Sequence, residues 1–125
     1  MKKIIYTSDA PEPVGPYNQA ILANDTLYVS GQIPINPKSG NIDSIDIEIQ
    51  THQVFKNLLA VLNKAEMGLK NVVKCSIFLD DLSDFQKVNE LYATYFTTDT
   101  PARECVEVSK LPKNARIEIS CIAVK

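Results

Sequence analysis

Apolar residues recur along this chain at two spacings, which predict helices and strands in a definite order. Residues 47–67 carry them at three- and four-residue steps, as in an amphipathic helix. A second helical stripe begins near residue 83, where the sequence Ser-Asp-Phe-Gln fits a capping box. Runs rich in β-branched and aromatic residues predict six strands, at about residues 2–7, 17–23, 26–30, 72–79, 103–108 and 116–124.

Turn-forming and helix-capping residues support these boundaries. Asn24-Asp25 is a tight hairpin signal between the second and third strands. Asp46 is placed to cap the first helix, and Gly68 is expected to end it in a left-handed conformation. The resulting order, β-β-β-α-β-α-β-β, predicts an α+β fold in which two helices cover one face of a sheet. The other face must then meet water or another subunit.

Length and composition indicate a single domain spanning residues 1–125. The longest apolar run, residues 58–62, is far shorter than the roughly 20 residues of a membrane helix. The apolar run near the N-terminus is too short for a signal peptide. The three cysteines, Cys75, Cys105 and Cys121, form no close pair, so we expect reduced thiols and a cytoplasmic location.

Several kinds of chemistry lack their usual residues. The single histidine, His52, would have to serve any zinc site or nucleophilic triad, and we interpret it as a solvated or half-buried helix residue. None of the four glycines forms a nucleotide-binding motif, so we predict no cofactor and no metal. The net charge of −2, with scattered basic residues, argues against nucleic acid as a partner.

The last two strands carry the candidate chemistry. Alternation puts Ile117, Ile119 and Cys121 on one face of the final strand, so Glu118 projects from the face without helices. Arg103 and Cys105 can share that face if the strand register allows it. Patterning alone leaves the plainer alternative open, namely that Arg103 and Glu118 are ordinary exposed strand charges.

Seven segments occur along the chain in a recognisable order: VGPY at 14–17, VSGQIP at 29–34, FLDDLSDF at 78–85, VNELY at 88–92, PARECVEV at 101–108, LPK at 111–113 and IEI at 117–119. Together they resemble the Rid family, also called the YjgF family, and within it the RidA-type deaminases. The resemblance covers essentially the whole chain. It implies a chorismate-mutase-like fold with a mixed sheet, and a homotrimer with a central barrel and clefts between subunits.

The resemblance also implies a reaction that needs no cofactor. The substrates would be 2-iminobutanoate and 2-iminopropanoate, hydrolysed to 2-keto acids and ammonia. Such imines arise when pyridoxal-phosphate-dependent dehydratases act on threonine or serine. Disposing of them protects other pyridoxal-phosphate enzymes and amino-acid metabolism, including isoleucine biosynthesis.

Carried over by position, the family's carboxylate-binding arginine falls on Arg103 and its water-positioning acid on Glu118. The remaining cleft positions fall on Tyr17, Ser30, Gly31, Asn89 and Cys105. Arginine can grip a carboxylate bidentately, and a glutamate can exchange protons with water and a leaving amine. Two other functions stay open: a non-catalytic sensor of keto or amino acids, and a chaperone-like or RNA-acting protein.

Overall fold

The computed structural model describes all 125 residues and contains each of the predicted strands and helices. The strands are β1 (Lys2–Ile5), β2 (Ala20–Ala23), β3 (Thr26–Gln32), β4 (Val72–Leu79), β5 (Ala102–Glu107) and β6 (Ile117–Val124). The helices are α1 (Ile47–Lys64) and α2 (Phe85–Tyr95). Neither helix combines the length and apolar character that a membrane crossing requires.

The six strands form one mixed sheet in the order β1-β2-β3-β6-β4-β5. All neighbours are antiparallel except β4 and β5, which are parallel. The hairpin predicted between β2 and β3 is confirmed, since Ala23 pairs with Thr26 and Asn24 adopts a φ of 54° between them. The C-terminal strand β6 inserts between β3 and β4, which places Glu118 near the middle of the sheet.

Both helices cover the same face of the sheet, as predicted. Ile117, Ile119 and Cys121 of β6 are buried in one core cluster with the apolar stripes of α1 and α2. The opposite face carries no helix, and large side chains such as Tyr28 and Val106 remain 51% and 43% exposed there. The α+β class and the two-layer arrangement are thereby confirmed.

The first helix begins where the sequence predicts and ends earlier. Asp46 accepts hydrogen bonds from the backbone N–H groups of Glu48 and Ile49, at 2.8 and 3.1 Å. The prediction for Gly68 is wrong, because Gly68 is extended, with a φ of −140°. Glu66 takes the left-handed conformation instead, with a φ of 60°.

Backbone hydrogen bonds explain why the helix ends before Gly68. The N–H of Met67 donates to the Leu62 carbonyl and that of Glu66 to the Asn63 carbonyl, both at 2.9 Å. This is the pattern of a Schellman motif, and it stabilises the left-handed turn at a non-glycine residue.

The start of the second helix also differs from the prediction. A 3₁₀ turn over Leu82–Asp84 precedes α2, so the Ser83–Gln86 capping box does not form. Asp81 accepts the Ser83 N–H at 2.9 Å and caps this turn. The carboxylate of Asp84 is occupied by the Arg116 guanidinium at 2.6 Å.

Candidate active site

Glu118 occupies the predicted face of the sheet. In β6 it pairs with Phe78 of β4, and its side chain is half-buried on the side without helices. Burial raises the pKa of the Glu118 carboxyl above its usual value. A half-buried carboxylate with a raised pKa suits proton exchange closer to neutral pH than an exposed one does.

The backbone of β3 runs directly beneath this carboxylate. The pairing of β3 with β6 shifts register between Val29 and Gln32, and Gly31 lies within that irregular stretch. A Cβ on Gly31 would overlap Oε2 of Glu118 and lie 2.7 Å from its Cδ. Glycine is therefore required here for close approach, and not for an unusual φ.

Ser30 and Tyr17 lie next to this contact. The Ser30 hydroxyl donates to the Asn18 carbonyl at 2.6 Å, which ties the segment containing Tyr17 to β3. Tyr17 is 45% exposed, and its hydroxyl accepts the Val14 N–H at 3.3 Å. Tyr17 and Gly31 also line one small cavity. Together Tyr17, Ser30, Gly31 and Glu118 form what we call the Glu118 cluster.

Arg103 and Cys105 lie on the helix side of the sheet, so the expectation that they share a face with Glu118 is wrong. The parallel register of β4 and β5 pairs Arg103 with Cys75 and Cys105 with Ile77. Cys75 and Ile77 are both buried beneath the helices. Because paired residues point to the same face, the register alone fixes the orientation of Arg103 and Cys105.

The Arg103 guanidinium lies along α2. Its Nη1 donates to the Asn89 Oδ1 at 2.7 Å, and its Cζ lies 4.8 Å from the ring centroid of Tyr92 and 5.7 Å from that of Phe85. Asn89, Tyr92 and Arg103 also line an open cleft of about 360 Å³. We call Arg103, Asn89, Tyr92 and Cys105 the Arg103 cluster.

Sequence reasoning missed Tyr92 and Phe85. The signal was present in the helical spacing, since positions 85, 89 and 92 recur at four- and three-residue steps on one side of α2. What the spacing could not show was that this side faces an arginine from β5.

No acidic side chain pairs with Arg103. The three salt bridges of the structure involve Lys74, Lys87 and Arg116. Glu104, its neighbour in sequence, points to the other face, where Lys74 lies 3.0 Å away and Ser76 donates to it. The charge of Arg103 is thus available to an anionic ligand.

The surroundings of Cys105 and His52 do not mark either residue as reactive. Burial raises the pKa of the Cys105 thiol, which disfavours the reactive thiolate. His52 is half-buried, as interpreted, and its Nδ1 is hydrogen-bonded to the Tyr95 hydroxyl at 2.6 Å, which links α1 to α2. No three His, Cys, Asp or Glu side chains are grouped as a metal site requires.

The two clusters do not meet within one subunit. Arg103 projects from the helix side of β5, whereas Glu118 projects from the other side of β6, with β4 between the two strands. The strand separation alone is about 10 Å. Within one subunit the sheet therefore separates an arginine without an acidic partner from a half-buried carboxyl.

Comparison with known proteins gives concordant matches. A family model described as Endoribonuclease L-PSP matches residues 7–125. A RutC family protein of Pyrococcus horikoshii is 51% identical over 125 residues, which is 100% of this chain and 99% of that protein. A Yersinia pestis protein of the conserved Rid protein family, of unknown function, is 49% identical with a TM-score of 0.96, covering 100% of both chains. The crystal structure of E. coli TdcF with bound serine shows 36% identity and a TM-score of 0.94, covering 98% of both chains.

Proposed function

Since the chain belongs to the Rid family, also called the YjgF family, we propose that it hydrolyses 2-imino acids to 2-keto acids and ammonia. The substrates in this proposal are 2-iminobutanoate and 2-iminopropanoate. The observation that carries it is Arg103, a half-buried arginine with no acidic partner, held at the edge of a cleft. Such a group fits a small substrate that bears a carboxylate beside its reacting carbon.

The complete site in this proposal lies between two subunits of a homotrimer. The Arg103 cluster of one subunit meets the Glu118 cluster of its neighbour, because the two clusters lie on opposite faces within each chain. The exposure of the helix-free face supports such an assembly, since Ile4, Tyr28 and Val106 are 57%, 51% and 43% exposed there. Large apolar side chains exposed on an uncovered sheet face are typical of a protein interface.

Arg103 binds the substrate carboxylate in this scheme. Asn89 occupies one N–H of Nη1, and the Tyr92 and Phe85 rings lie near the guanidinium without accepting its conventional hydrogen bonds, so other N–H groups remain free for two parallel hydrogen bonds. A bidentate pair fixes the orientation of the carboxylate as well as its position. The imine carbon is thereby held at a defined distance from the neighbouring Glu118 cluster.

Glu118 moves the protons. It accepts one proton from a water molecule as the water oxygen bonds to the carbon of the protonated imine, which gives a tetrahedral amino alcohol. Glu118 then returns that proton to the amine nitrogen, and the C–N bond breaks to release ammonia. The hydroxyl proton passes to the Glu118 carboxylate as the carbonyl forms, and Glu118 gives it up to the ammonia, which leaves as ammonium. No thiolate is needed, which agrees with the raised pKa of Cys105.

The test is a coupled assay. A pyridoxal-phosphate-dependent threonine dehydratase generates 2-iminobutanoate, and release of 2-ketobutyrate is followed with and without this protein. We expect acceleration by the wild type and none by Arg103→Ala. Arg103→Lys should be partly active, because lysine keeps the positive charge but lacks the paired N–H donors of the guanidinium. Lys56→Ala, at an exposed position of α1, is the matched control and should behave as wild type.

Circular dichroism of every variant separates loss of activity from loss of fold. Near-normal activity of a folded Arg103→Ala protein would refute the role of Arg103. No acceleration by the wild type would refute the deaminase proposal as a whole.

A second candidate is a non-catalytic sensor of keto or amino acids built from the same residues. The bound serine in the TdcF structure favours it, since that protein binds an amino acid. Here Arg103 would hold the ligand carboxylate and Glu118 would have no role in turnover. Binding of 2-ketobutyrate that depends on Arg103, without any acceleration of imine loss, would select this function over the deaminase.

RNA cleavage has less support from the residues. The net charge is −2, and Lys74, Lys87 and Arg116 are already paired with carboxylates. Binding to an RNA backbone calls for a cluster of free basic groups and falls steeply with salt. Salt-sensitive binding and cleavage of a labelled RNA would contradict this reasoning.

A further inference from the structure

We propose that Tyr92 is a positioning residue, whose ring face holds the Arg103 guanidinium in the orientation that receives a carboxylate. This inference rests on the proposed function of Arg103 as the carboxylate-binding group. It assigns to Tyr92 a role in ligand affinity that is separate from its part in the core.

The contact between the two groups has the geometry of a cation–π interaction. The Arg103 Cζ lies 4.8 Å from the Tyr92 ring centroid, within the roughly 6 Å range of such pairs. Asn89, three positions earlier on α2, accepts from Nη1 at 2.7 Å. The guanidinium is therefore held on one face by the ring and at one edge by the amide.

The Tyr92 ring is itself held in place by other aromatic side chains. Phe55 of α1 meets it edge-on, with centroids 6.0 Å apart, and Phe96 lies 4.8 Å away at an angle of 39°. Tyr92 is only 6% exposed, so its ring has no free space in which to turn. The position of Arg103 is thus linked to the packing of α2 against α1.

The hydroxyl of Tyr92 takes no part in this role. It is buried beside the Cys75 thiol without a hydrogen bond of normal geometry, and burial raises its pKa, so it stays protonated. What position 92 offers to Arg103 is the electron-rich face of the ring. Phenylalanine would supply that face, whereas leucine would fill similar space without it.

Holding a guanidinium still before the ligand arrives lowers the ordering required on binding. An arginine side chain free to rotate would have to lose that freedom in each binding event. We therefore expect the effect in affinity, with KM for the imine raised more than kcat is lowered.

The experiment is a series of phenylalanines with increasing fluorination placed at position 92. Fluorine withdraws electron density from the ring face with little change in size. Titration calorimetry with 2-ketobutyrate is expected to show affinity falling stepwise from Tyr92→Phe along the series, by about five- to tenfold in total. The same series at Tyr95, whose ring stacks on Phe55 and is not one of the two rings near Arg103, is the packing control and should leave affinity unchanged.

If the affinity for 2-ketobutyrate is the same for every member of the series at position 92, this inference is overturned and the proposed function stands. Failure of the wild type to bind 2-ketobutyrate would overturn the proposed function instead. Nitrogen-15 NMR of Arg103 then decides the inference without a ligand. We expect separate Nη1 and Nη2 signals in Tyr92→Phe and merged signals in Tyr92→Leu, and identical spectra in the two variants would refute the restraint.

Discussion

Replacing Gly31 by alanine tests the contact between β3 and the Glu118 carboxylate. The new Cβ would overlap Oε2 of Glu118 and lie 2.7 Å from Cδ, where ordinary contact begins at 3.4 Å. The carboxyl group must therefore retreat by about 1 Å, and a displacement of that size can reduce a rate on the order of a hundredfold. The fold should survive, because the obstacle is the movable end of a side chain; we expect a loss of about 1 kcal/mol in unfolding free energy.

The coupled dehydratase assay measures this effect, and Gly68→Ala is the matched control. A Cβ at Gly68 meets nothing within 4 Å, so this variant should keep wild-type activity. Combining Gly31→Ala with Glu118→Gln adds a second check. If alanine acts by displacing the carboxylate, the double variant is no slower than Glu118→Gln alone. Near-normal turnover by a folded Gly31→Ala protein would refute the reasoning.

Four further outcomes follow from the structure. Asp46→Ala removes two capping hydrogen bonds and should lower the free energy of unfolding by about 1 kcal/mol in urea titration, and no change would contradict the cap. Tyr92→Phe removes a buried hydroxyl that makes no hydrogen bond of normal geometry, so calorimetry should show stability equal to or above wild type. A loss above about 1 kcal/mol would mean that the hydroxyl is bonded to the neighbouring Cys75 thiol. Because burial raises the pKa of Glu118 above 4.5, kcat/KM should fall on acidification with a midpoint above that pH, and this fall should be absent in Glu118→Gln. A fall that persists in Glu118→Gln would belong to another group. The same shift makes folding stability fall as the pH rises from 4.5 through the raised pKa, since the folded state binds the extra proton in that interval.

The sequence was sufficient for the elements because their signals are local. Periodicity placed every helix and strand, and Asp46 was recognised from its position before an apolar stripe. The prediction was wrong where the helix could end at either of two neighbouring positions. The turn after α1 closes at Glu66 instead of Gly68 because backbone hydrogen bonds to Leu62 and Asn63 end the helix early.

The candidate site was only partly predictable. The face of Glu118 followed from alternation within one strand, and that prediction is confirmed. The face of Arg103 depends on the register between β4 and β5, which are separated along the chain by α2, and no local pattern records it. For the same reason no sequence pattern indicated the contact between Tyr92 and the guanidinium. The roles of these residues in catalysis stay predictions.

The central claim is that Arg103 and Glu118 act together across a subunit boundary. Mixing inactive Arg103→Ala chains with slowed Glu118→Gln chains in equal amounts, by co-refolding, tests it directly. In a ring of subunits, a site is intact when one chain supplies the arginine and its neighbour the glutamate, which happens at random in about a quarter of the sites. We predict recovery of about a quarter of wild-type activity, well above either parent, and a mixture no more active than the average of its parents would contradict the claim.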